Sequence, residues 1–133
     1  KKIMIYIPNR VLICSSATFL ISSYYGYTIQ NPLYQLDLIN SLFSIAYWSD
    51  SENKYKRLFD IATANIAGIA FFTYGYYRIK GNMRYIAWFN LLGIISNFTL
   101  SCITYKISYS KWYYYHFMFH MFTLLNKFVV YNS

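Results

Sequence analysis

Long apolar stretches alternate with short charged ones along the whole chain. No charged residue falls between Val11 and Leu36, between Ile61 and Tyr77, between Tyr85 and Tyr105, or between Trp112 and Asn126. A membrane-crossing helix needs roughly 17–25 mostly apolar residues. With their flanks, these four gaps approach or exceed that length. A fifth stretch, near 33–48, is interrupted by Asp37 and is shorter. The pattern predicts five helices, at about 9–29, 33–49, 57–77, 83–105 and 110–131. The first ends before the Asn31-Pro32 turn signal, and the third stops near Arg78 to Gly81. Tyr, Ile and Phe favour sheets, but strict alternation is absent and the runs are too long for strands. In lipid, spanning segments are helices or closed barrels. The expected architecture is therefore all-α: one polytopic transmembrane bundle of about five spans over residues 1–133.

Composition strengthens that reading. Charged residues make up 12% of the 133, apolar residues 57% and aromatic residues 23%. A typical soluble domain carries about 25% charge, and a chain this short has too little interior to hide so much ring surface. A simple soluble domain and a disordered chain are both disfavoured. The remaining classes are a membrane protein and a buried subunit of a larger assembly.

The loop charges predict an orientation. With the amino terminus in the cytoplasm, eight basic residues lie on that side, among them Lys1, Lys2, Lys54, Lys56 and Arg57. Four lie on the other: Arg78, Lys80, Arg84 and Lys127. Basic loops on the cytoplasmic side are the usual arrangement. Membrane lipids are a sufficient partner for the net charge of +8. Nucleic-acid binding is not expected, because the aromatics sit inside the apolar runs instead of interleaving with an exposed basic stripe. The basic first turn and following apolar run imitate a signal peptide, but Pro8 and Arg10 interrupt them and further apolar segments follow. Cys14 and Cys102 lie inside apolar segments without metal or redox spacing, and free thiols are expected.

Ionisable residues inside spans are costly and usually face a bundle interior. Asp37, Asp60, His116 and His120 are therefore the informative positions. His116 and His120 are four apart and share one helix face, the spacing of two metal ligands on a helix. A catalytic zinc needs three protein ligands and an open position. The competing reading is a pair of imidazoles bonded to neighbouring helices. Asp60, at the expected start of the third helix, suits a cap or an ion pair with Lys56 or Arg57. Ser44 suits a bond to its own helix backbone. Alternating topology nevertheless puts Ser44, Trp48, Asp60, His116 and His120 at one depth on the cytoplasmic side.

These residues carry a resemblance. Ser44-Ile-Ala-Tyr-Trp48, a short basic loop, and then Arg57-Leu-Phe-Asp60 resemble the second-to-third helix region of the hemolysin III and progestin/adiponectin-receptor families. His116-Phe-Met-Phe-His120 resembles the last-helix motif of the same group, the CREST superfamily of membrane hydrolases, which includes the alkaline ceramidases. The similarity covers about residues 40–75 and 110–130. It implies a reduced version of a seven-helix bundle, with three helices replaced by one. It also implies zinc-dependent hydrolysis of a lipid amide, with His116 and His120 as zinc ligands, Asp60 holding the attacking water and Ser44 supporting it. Trp48 stands where the family places its third zinc ligand, a His, and an indole does not ligate zinc. The alternatives to a hydrolase are a non-enzymatic, receptor-like membrane protein and a structural subunit of a membrane complex.

Overall fold

In the computed structural model, residues 7–107 and 111–133 are described, Ile7 and Pro8 through their backbone only. They form five helices: α1 (Ile7–Thr28), α2 (Tyr34–Ser49), α3 (Lys54–Arg78), α4 (Asn82–Ile107) and α5 (Trp112–Tyr131). No strand occurs among the described residues. The all-helical expectation holds, and so do the five elements. The expected start of the fifth helix at residue 110 and the charges of Lys1 and Lys2 lie outside the described residues.

Local chemistry sets the helix ends. α1 stops where Gln30 takes a left-handed φ of 56°. Its neighbour Asn31 returns a backbone bond to the Gly26 carbonyl at 2.9 Å, closing the helix end. The Asn31 side chain then accepts the Leu33 N–H at 3.0 Å and turns the chain into α2. α3 begins three residues earlier than expected because Asn53 caps it. The Asn53 side-chain oxygen accepts the N–H groups of Tyr55 and Lys56 at 3.0 and 3.2 Å. At the other end, Gly81 with φ of 63° separates α3 from α4.

The chain divides into two compact units, Lys1–Gly68 and Ile69–Ser133, with the division inside α3. In the first, α1 packs on α2; in the second, α4 packs on α5. Each pair runs antiparallel. Ser16 meets Ser44 while Ser22 meets Asp37, and Phe98 meets Phe119 while Phe89 meets Phe122.

The distribution of side chains is inverted relative to a water-soluble bundle. Buried polar and charged residues outnumber buried apolar ones among the described residues. On α1 the buried positions include Ser15, Ser16, Ser22 and Ser23; on α2 they are Asp37, Asn40, Ser41, Ser44 and Trp48. Their three- and four-residue spacing is that of a packing stripe, but most of the stripe is polar. Large apolar side chains point outward instead. Ile69 and Leu92 are 68% and 64% exposed. α3 and α4 are long and apolar enough to cross a membrane, yet only 17% and 11% of their apolar windows are buried.

Small residues allow close packing in the second unit. At Gly93 of α4, an added Cβ would lie 2.6 Å from a ring carbon of Phe122 in α5. The aromatic ring therefore rests directly on helix backbone, the arrangement that small residues permit between apolar helices.

Candidate functional site: two buried polar seams

In the first unit, the seam between α1 and α2 is built of hydroxyl contacts, one of them to a carboxylate. Ser16 and Ser44 share a hydrogen bond of 3.0 Å between their Oγ atoms. Ser41 donates to the Ser16 carbonyl at 3.0 Å. Ser22 donates to Asp37 Oδ2 at 2.6 Å, and Asp37 is fully buried.

The Ser44 hydroxyl also stands beside the side chain of Asp60. The two residues that the resemblance assigns to water activation thus form a pair, although they belong to different helices. The capping role weighed for Asp60 does not hold. With α3 starting at Lys54, Asp60 lies beyond the first turn, where backbone N–H groups are already bonded within the helix. Asn53 holds the cap. The expected ion pair is also redirected, because Lys56 Nζ contacts Asp50 Oδ2 at 3.1 Å. Nor does Ser44 simply bond its own helix, since Ser16 and Asp60 engage it. Trp48 is buried near the end of α2, its ring 4.6 Å from that of Tyr47.

In the second unit, the seam lies between α4 and α5. His116 and His120 are neighbours with ring centroids 4.8 Å apart and planes at 68°. His120 is buried. Ser101 of α4 shares a 3.3 Å hydrogen bond with His116 Nδ1. Asn90 and Ser101 are buried on α4, and Lys127 is buried on α5. Lys127 therefore does not belong with the loop charges used to orient the chain. It sits inside the last helix, its ammonium 5.8 Å from the centroid of the Phe71 ring. A lysine stem packs well along apolar surface, and an aromatic face attracts its charged head.

The histidines fit only part of a metal centre. No acidic residue follows Asp60 in the sequence, so the second unit contains no Asp or Glu side chain. Its other soft donor, Cys102, is exposed, and one imidazole nitrogen of His116 is engaged by Ser101. No group of three His, Cys, Asp or Glu side chains gathers among the described residues. Among the described residues of the second unit, His116 and His120 supply two of the three protein donors that a catalytic zinc takes. Ser101, Lys127 and the serines of α1 escaped sequence reasoning. A signal existed for the last group: Ser15 and Ser22, and Ser16 and Ser23, repeat at seven residues inside a charge-free run.

No protein-family profile, no curated protein and no solved structure matches the chain.

Proposed function

We propose that the chain is an integral membrane protein, a polytopic helical bundle whose apolar faces meet lipid and whose polar groups bind helix to helix. One observation carries this reading: among the described residues, polar side chains outnumber apolar ones in the buried stripes, while many Ile, Leu, Phe and Tyr side chains are exposed. Water would reverse that arrangement, because apolar burial is the dominant favourable term in folding from water. Between helices in lipid, that drive is absent. Small residues and interhelical hydrogen bonds supply association instead, and both occur in the two seams. In this reading the bundle acts through binding and assembly, without catalysis. Membranes from cells expressing the full chain test it directly. Washed with alkaline carbonate, they are expected to retain the protein, and detergent is expected to release it. Release by carbonate alone overturns the proposal.

A second reading is a zinc-dependent membrane hydrolase acting on lipid amides. The juxtaposition of Ser44 and Asp60 favours it. It requires a third zinc donor beside His116 and His120. Elemental analysis of detergent-purified protein decides it: the hydrolase reading expects one zinc per chain and its loss in His120→Ala. Substoichiometric metal, unchanged in the variant, excludes that reading.

A further inference from the structure

The turn joining α3 to α4 gathers three cations, Arg78, Lys80 and Arg84, all exposed. No acidic residue occurs after Asp60, so the second unit offers these cations no Asp or Glu side chain of its own. Two of them are held on aromatic faces. The Arg78 guanidinium lies 4.6 Å from the Tyr74 ring centroid, and that of Arg84 lies 5.6 Å from the Tyr76 centroid. Stacking on a ring leaves the planar fork of N–H donors free for an oxyanion.

Arg84 also stands at the junction of two hollows. One is a narrow, mainly apolar cleft lined by Phe72, Gly75, Tyr76, Trp88 and Leu91 as well as Arg84. The other is a wider, more polar hollow formed by Arg84 and Trp88 with Gly81, Asn82 and Tyr85. At the base of the cleft Gly75 packs tightly, since a Cβ there would lie 3.1 Å from both Ile79 and Val130. Its wall is continuous with the exposed apolar surface, since Phe72 and Trp88 are themselves exposed.

We infer that the α3–α4 turn is a binding site for an anionic phospholipid, with its phosphate on Arg84, Lys80 and Arg78 and one acyl chain in the cleft beneath. The inference rests on the membrane reading proposed above. Charge complementarity selects the occupant. A zwitterionic lipid presents an ammonium group that three clustered cations repel, and a free anion leaves the apolar cleft unused. Trp and Tyr beside a basic cluster also suit the boundary between headgroups and acyl chains.

The site predicts lipid-selective quenching of Trp88. The full chain is reconstituted in phosphatidylcholine vesicles containing an equal, low fraction of either phosphatidylglycerol or phosphatidylcholine with brominated acyl chains. The Trp88 signal is the difference between the native chain and Trp88→Phe. Brominated phosphatidylglycerol is expected to quench that signal several-fold more than brominated phosphatidylcholine. The excess should vanish when Arg84→Gln and Lys80→Gln are combined, both at exposed positions, and shrink in Ala87→Leu, which narrows the cleft at a small residue of its wall. Equal quenching by the two lipids, or an excess untouched by the charge substitutions, overturns the lipid site while leaving the membrane reading intact. If Trp88 stays unquenched even when every lipid is brominated, both fail.

Discussion

Replacing Ile95 by arginine is expected to cost about 2.5–3.5 kcal/mol of membrane insertion free energy, the amount associated with a charged residue at the centre of a spanning helix. Ile95 lies near the middle of α4 and is 55% exposed. The Tyr85–Tyr105 stretch around it carries no charge. On a helix facing water, an exposed Ile→Arg change falls within about 0.5 kcal/mol of neutral, and it improves solubility. The same substitution therefore has opposite consequences for the two kinds of protein. Translation in the presence of membrane vesicles, followed by measurement of the integrated fraction, reads the difference. Ile95→Leu is expected to insert like the native chain and Ile95→Arg to lose much of its integration. Equal integration of the two variants would mean that this face of α4 does not meet lipid.

Gly93→Ala is expected to destabilise the second unit by about 1–3 kcal/mol, the usual cost of overpacking a filled interface. The physical reason is specific. The added methyl would lie 2.6–2.7 Å from three carbons of the Phe122 ring, so the ring or the two helices must move apart. Gly68 provides the contrast, because a Cβ there meets nothing within 4 Å. Gly68→Ala is expected to stabilise α3 by about 0.5–1 kcal/mol through its better helix propensity. Reversible unfolding in mixed micelles measures both changes. A double-mutant cycle with Phe122→Leu identifies the cause: the cost of Gly93→Ala should fall when the ring is absent, because the two positions touch. An undiminished cost would place the strain elsewhere.

The helices were legible because charge scarcity made their ends conspicuous. Asn31-Pro32 and Gly81 marked two boundaries by their turn chemistry. The start of α3 departs from the pattern of apolar residues, which begins after the basic stretch, because the Asn53 cap pulls Lys54–Lys56 into the helix. That shift of less than one turn changed the meaning of Asp60 from a cap to a partner of Ser44.

The candidate site was legible where one helix carried the whole pattern, as with His116 and His120. It was hidden where two helices had to be set in register. Ser101 stands against His116 only because α4 and α5 align as they do, and nothing local to Ser101 announces it. Lys127 misled for a related reason. A lysine near a helix end normally reaches outward, whereas Lys127 is buried with its ammonium near the ring that Phe71 supplies from α3. The polar stripe on α1 was written in the sequence, but hydropathy treats serine as unremarkable inside an apolar run.

The inverted arrangement of polar and apolar residues is tested most directly by its three tryptophans. Trp48 and Trp112 are buried at 7% exposure each, whereas Trp88 is 45% exposed. With the full chain reconstituted in vesicles made wholly of lipid with brominated acyl chains, Trp88 is expected to supply most of the quenched fluorescence. Trp88→Phe should then abolish most of the quenching, and Trp48→Phe should leave it nearly unchanged. Quenching that survives Trp88→Phe, or fluorescence that no brominated lipid reduces, would contradict an outward apolar surface in contact with lipid.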